Sequence, residues 1–272
     1  MKALSFPAFI VLFLSSASFA GTIQLRDFTA LSGGVPGGWT QTRFDDVELW
    51  GPGSYGSLNW GGASGMTASD NPIAALVGVK DLFVLLPKTV PGQTIQINSA
   101  TIELVQLSGA TSPEVHYPWD VHVRRVTTNW LTQGPGLSQG TCVDDSQTSP
   151  DGVVGNSGWA GGAFSSADYA ATGGTDVPGY DCRYINPVSF TITDIVRDWY
   201  ANDANYGLVL LADNGTVGGK PTFGTSENMG GDATAPGVRP ALIIDYSYVP
   251  IPEPATMALL AAGGLALLRR RR

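Results

Sequence analysis

The chain has 272 residues, with 35 Gly, 18 Pro and a formal net charge of −8. Gly and Pro together make up roughly a fifth of it, which favours short strands and frequent turns over a helical bundle. The acidic balance excludes a nucleic-acid binder, whose phosphate contacts need a basic surface. Two His and two Cys are too few for zinc fingers, iron–sulfur clusters or multi-histidine metal sites.

Residues 1–20 read as a secretory signal peptide. Lys2 supplies a basic start, residues 6–14 are apolar apart from Pro7, and Ser18 and Ala20 place small side chains at the cleavage positions. The apolar run is far shorter than the ~20 residues of a membrane-spanning helix, so a cut between Ala20 and Gly21 fits better than an anchor.

Strand signals then recur between turns. Residues 47–50 precede Gly51-Pro52-Gly53, and residues 74–86 form a long apolar run stopped by Pro87. Two more segments follow at 93–98 and 100–107, the second alternating Ile102 and Leu104 with Thr101 and Glu103. Val121 and Val123 alternate with His122 and Arg124, the pattern of a half-buried strand. The stretch 136–186 is rich in Gly, Asp, Ser and Thr without periodicity and reads as long loops. Further strands are expected at 188–192, 207–212 and 241–248. One helix interrupts them: Ile192, Ile195, Val196 and Trp199 fall at i, i+3, i+4 and i+7, with Thr193 as the expected N-cap and Asp194 at the positive helix end. Strands with hardly a helix between them point to one all-β sandwich domain over 21–248.

Cys142 and Cys182 are an even pair in an exported chain, so a disulfide is the default. It closes a loop of about 40 residues, worth ~4 kcal/mol in the chain-entropy description.

At the other end, Pro252-Glu253-Pro254 precedes an apolar stretch, 255–268, and then Arg269, Arg270, Arg271 and Arg272. Fourteen residues at ~1.5 Å each reach ~21 Å, short of a ~30 Å hydrocarbon core. The arginines orient the stretch with the cluster in the cytoplasm and the domain outside, whether it is a processing signal or a plain single-span anchor. Motif, span and basic end over 249–272 resemble the PEP-CTERM sorting signal of Gram-negative bacteria. That resemblance implies processing by an exosortase, transient anchoring in the inner membrane, and a destination at the cell surface or in an exopolysaccharide matrix. Setting aside Lys2 and the four terminal arginines leaves 10 of the 15 basic residues against 23 acidic ones, about −13 for the exported part.

The segment order resembles a second family, the DNRLRE domain, related to carbohydrate-binding modules. The resemblance is carried in order by Ser54-Tyr55-Gly56-Ser57, the strand pair ending in Ser99-Ala100-Thr101-Ile102-Glu103-Leu104, Val121-His122-Val123-Arg124-Arg125-Val126 with Trp130, Trp159-Ala160-Gly161-Gly162, Ile195-Val196-Arg197-Asp198-Trp199, Asn205-Tyr206-Gly207-Leu208, Thr225-Ser226-Glu227-Asn228 and Arg239-Pro240-Ala241-Leu242. It implies a jelly-roll-like β-sandwich with one short helix.

For chemistry, His122 shares strand parity with Asp120 and Arg124, and Tyr117 is near in sequence. A polysaccharide lyase uses such a base with an Arg to neutralise a uronate, whereas a polar, solvent-facing strand edge explains the same residues without a reaction. No nucleophile elbow and no His-Glu-x-x-His motif accompanies them. The acidic pairs Asp45-Asp46 and Asp144-Asp145 suit a structural calcium ion or simple loop solubility, and name no ligand set. Trp39, Trp60 and Trp119 have Gly- or Pro-flanked positions expected in loops, where indoles stack on sugar rings, although packing beneath a loop accounts for them equally. Trp50, Trp130 and Trp199 are expected in the core. The composite expectation is a non-catalytic surface protein that binds exopolysaccharide. Its rivals are a lyase-type enzyme and a purely structural surface protein. If Cys142 and Cys182 are joined, thiol titration of the denatured exported protein will find no free thiol until a reductant is added, and reduction will lower the unfolding midpoint.

Overall fold

The structure is a computed structural model that describes residues 18–27, 37–42, 44–49, 65–68, 74–108, 118–128, 166–181, 187–213, 221–225 and 239–251. In chain order these form β1 (Phe19–Arg26), β2 (Thr40–Gln41), β3 (Phe44–Leu49), β4 (Gly65–Thr67), β5 (Ala74–Val79), α1 (Leu82–Leu85), β6 (Thr89–Val90), β7 (Gln93–Ser108) and β8 (Pro118–Arg125). Then come β9 (Thr175–Asp181), β10 (Pro187–Thr191), α2 (Thr193–Asn202), β11 (Leu208–Asp213), β12 (Thr222–Gly224) and β13 (Ala241–Pro250). One sheet runs β2-β1-β13-β7-β12-β4, with β10 and β6 also paired to β7; the other runs β3-β5-β11-β8-β9. Pairing is antiparallel throughout except between β1 and β2.

The two sheets close on one apolar core, as the sandwich expectation required. Ile102, Leu104, Phe190, Leu242, Ile244 and Leu25 from the first meet Val77, Val121, Val123, Leu208 and Leu210 from the second. Tyr180 of β9 spans the gap, its ring 6.5 Å from Phe190 and 6.3 Å from Phe223, while those two stand edge to face at 6.1 Å. Such offset and perpendicular geometries match the ring quadrupoles while burying large area.

The two segments expected at 93–98 and 100–107 are one sixteen-residue strand, β7. The inward-facing residues change parity along it, Ile97 being buried before the break and Ala100, Ile102 and Leu104 after it. A bulge does this: Asp245 of β13 opposes Ser99, but the next residue, Tyr246, opposes Ile97, which leaves Asn98 as the extra residue. The carbonyls freed there are taken up by Arg197 of α2, whose Nε donates to Ile97 O at 3.0 Å and whose Nη2 donates to Asn98 O at 3.2 Å.

α2 buries Ile195, Val196, Trp199 and Tyr200, with Ile192 just ahead of it, so the expected apolar stripe is the packed face. The expected cap is corrected. Ile192 is the N-cap and carries no side-chain cap; the Thr193 hydroxyl instead accepts from Ala100 N at 3.0 Å, serving the sheet rather than the helix. The run 74–86 is also not one strand. β5 ends at Val79, Asp81 adopts a left-handed conformation at φ 58°, and the single turn α1 follows, so there are two helices among the described residues instead of one. Lys80-Asp81 marks the break, since an Asp tolerates that conformation better than the apolar residues around it.

Strands β1 and β9 were not expected. β1 overlaps the expected cleavage site, with Ala20 opposite Ser247 and Gly21 opposite Tyr246, and β9 lies in the stretch expected as loop. Its Thr175-Asp176-Val177 alternation is too short to stand out from the Gly-rich sequence around it. Cys142 and Cys182 lie outside the described residues, as do Trp50 and Trp130.

Gly207 has φ +80°, and a Cβ there would sit 2.5 Å from Val77 O. Gly207→Ala therefore forces apart β5 and the start of β11. It is expected to lower stability by about 2 kcal/mol or more, read as a lower urea midpoint without a change in slope.

Candidate functional site

His122 and Arg124 project from the outer face of β8, and the antiparallel register decides their neighbours. Asp176 of β9 lies directly opposite His122. On the other side Leu211 of β11 opposes it, which places Asp213 one step further along, opposite Asp120. The sequence expectation that Asp120, His122 and Arg124 share a face holds, but the acids that complete the cluster come from β9 and β11. Sequence offered no signal for them, because pairing partners 54 and 91 residues away are set by topology alone. Tyr117 lies outside the described residues.

Both nitrogens of His122 face carboxylates: Nδ1 is 2.6 Å from Asp176 Oδ1, and Nε2 is 3.1 Å from Asp213 Oδ1. Arg124 Nη2 donates to the same Asp176 oxygen, and Arg124 Nη1 donates to Thr175 O at 3.2 Å. Asp176 thus sits between His122 and Arg124, whose facing nitrogens Nδ1 and Nη2 are 3.4 Å apart. Asp120, which would otherwise repel Asp213 across the strands, accepts from Gly179 N at 2.8 Å.

Partial burial by itself would push the His122 pKa down, but hydrogen bonds to Asp176 and Asp213, and then their charges, outweigh it and hold the group above its ordinary value of 6.5. Its partner Asp176 is held below the usual carboxylate value, first by His122 and then by Arg124. Both ring nitrogens of His122 are therefore engaged with carboxylates, one from each neighbouring strand. In this arrangement the cluster works as an electrostatic staple joining β9, β8 and β11.

The three tryptophans expected in loops fall out differently. Trp119 is corrected: it lies in β8, is 4% exposed and is opposite Tyr180. Pro118 opens a strand there rather than closing a loop, and the inward face of that strand needs an apolar side chain. Trp39 is half-buried just ahead of β2, with the Arg26 guanidinium over its ring at 4.3 Å, a cation–π contact that holds the indole in place. Trp60 lies outside the described residues. Trp199 is fully buried, as expected.

Of the acidic pairs, Asp46 is fully buried in β3, and Asp144-Asp145 lies outside the described residues. Among the described residues no group of three or more His, Cys, Asp or Glu is placed to hold a metal ion.

The raised pKa has a sign. His122 in the unfolded chain titrates near 6.5, so its stabilising contribution is complete below that value and is lost as pH rises through the higher folded value. Urea midpoints are expected to fall as pH rises from the unfolded value of 6.5 through the higher folded value, and His122→Gln is expected to flatten that slope. An equal slope in the variant would assign it to other groups.

Comparison with known families bears on the C-terminal end. No curated protein matches the chain, and nothing in the comparisons supports the resemblance to the DNRLRE domain. The profile of the PEP-CTERM protein-sorting motif matches residues 250–272. Pro252, Glu253, Pro254 and the arginines 269–272 fall inside the match and outside the described residues. The match starts at Pro250, the last residue of β13, so the sandwich runs into the motif without a linker. The chain carries a PEP-CTERM sorting motif, and this implies exosortase-dependent export to the cell surface.

Proposed function

We propose that this protein is an exosortase-sorted surface protein whose β-sandwich is a non-catalytic module associating with exopolysaccharide. The observation that carries the reading is the sorting motif joined directly to β13. A domain delivered to the outside by such a signal needs a stable, exposed fold, and a sandwich closed on one core meets that need. Residues 1–20 act as the export signal, cut between Ala20 and Gly21, and the apolar C-terminal stretch is held in the inner membrane until exosortase acts.

The non-catalytic part of the proposal rests on the His122 cluster. A lyase needs a base with a free lone pair, whereas both ring nitrogens here are committed to carboxylates. The polysaccharide part rests on the resemblance to the DNRLRE family and on Trp39, whose indole is fixed by Arg26 in a manner suited to stacking on a sugar ring. Trp60 joins it as a candidate, while Trp119, being in the core, does not.

The test is retention of the purified exported protein on immobilised neutral and acidic polysaccharides, with calcium and with chelator. Saturable retention on one polymer is expected. Trp39→Ala should weaken it by roughly tenfold, equivalent to about 1.4 kcal/mol. Absence of retention on every polymer, from folded protein, would leave a structural surface protein in its place. Depolymerisation of any of them would restore the enzyme reading.

A further inference from the structure

Strands β1 and β13 are antiparallel neighbours, so the start of one lies beside the end of the other: Phe19 opposes Tyr248, and Ile251 N donates to Gly92 O at 2.9 Å in the turn between β6 and β7. The chain therefore enters and leaves the sandwich at the same end. α1 caps that end. The carbonyls just after it, Leu86 O and Pro87 O, accept from the Tyr200 and Tyr248 hydroxyls at 2.7 Å each, which brings the turn down onto the end of β13.

The large apolar side chains exposed among the described residues are Phe19 at 60%, Val84 at 76% and Ile251 at 45%. One is the first residue of β1, one sits on the capping turn and one directly follows β13. In a chain this acidic, the charges around the turn balance: Lys80 and Lys88 stand against Asp81 and Asp203, with Lys88 Nζ 2.8 Å from Asp203 Oδ1.

We propose that this end of the sandwich rests on the lipid bilayer while the precursor is anchored, with Val84 and Ile251, and Phe19 until the signal is removed, in contact with the headgroup region. The inference rests on the sorting reading and adds an orientation to it. Only Pro252, Glu253 and Pro254 separate Ile251 from the apolar stretch 255–268. Four Cα steps of at most ~3.6 Å keep Ile251 within about 15 Å of the hydrocarbon edge, and the interfacial layer takes up roughly 5–7 Å of that. A folded domain tied so closely is held within about 10 Å of the headgroups, and the end nearest them is the one with exposed apolar side chains. Contact there gains apolar burial, and the two Lys and two Asp around the turn add no net charge at the surface, where Glu253 is already tethered by the sorting motif.

The experiment uses the full chain in vesicles of phosphatidylethanolamine and phosphatidylglycerol. A benzophenone amino acid is incorporated at position 84 in one preparation and at position 37 in another. Gly37 is exposed with open space around it, near β2 at the far end of β1. After illumination, lipid adducts at position 84 are expected to exceed those at position 37 several-fold, and Val84→Asp is expected to make the domain more accessible to added protease at that end. Alkaline carbonate extraction separates the two levels of the argument. Adducts equally rare at both positions in a carbonate-resistant chain would overturn the orientation and leave the sorting reading intact. A chain that carbonate extracts would overturn both.

Discussion

Most of this molecule hangs on one strand. β7 runs for sixteen residues, pairing with β13 along ten positions from Gln93 to Glu103, while β6 and β10 pair with its other edge at Gln93, Thr94 and Thr101 to Val105 and β12 pairs with Gln106 and Ser108. A strand of that length accumulates twist and drifts out of phase with a flat core. The bulge at Asn98 absorbs this by shifting the inward parity from Ile97 to Ala100, at the cost of unpaired carbonyls. Arg197 meets that cost, and in doing so docks α2 against the sheet. Strand length, bulge, arginine and helix are thus one solution to one problem, with Arg197 tying the bulged carbonyls of Ile97 and Asn98 to α2.

The second sheet is held differently. Among the described residues β9 pairs only with β8, and the outer face carries charge where the core face carries Val121, Val123 and Val177. His122 and Arg124 tie Asp176 from one side while His122 reaches Asp213 on the other, so ionic contacts reinforce an edge that backbone pairing alone leaves exposed. The same contacts engage both ring nitrogens of His122 with carboxylates from neighbouring strands.

The ends of the chain connect fold to destination. β1 and β13 are adjacent in the first sheet, and the sorting motif begins where β13 stops.

The sequence by itself determined the sorting motif, the sandwich class, the apolar stripe of α2 and the inward alternation of β7 and β8. Each is a local pattern whose period or composition already states the environment its residues require. Tertiary structure alone decided the rest. It decided that Trp119 is core, because the register of β8 turns it inward opposite Tyr180, and that the run 74–86 breaks at Asp81, because the chain must turn across the end of the sandwich. It decided that the segment around Asp176 is a strand, since β8 offers it an edge, and that His122 lies between two acids. These outcomes depend on which strands become neighbours across 50 to 100 residues of intervening chain, and no local pattern carries that information.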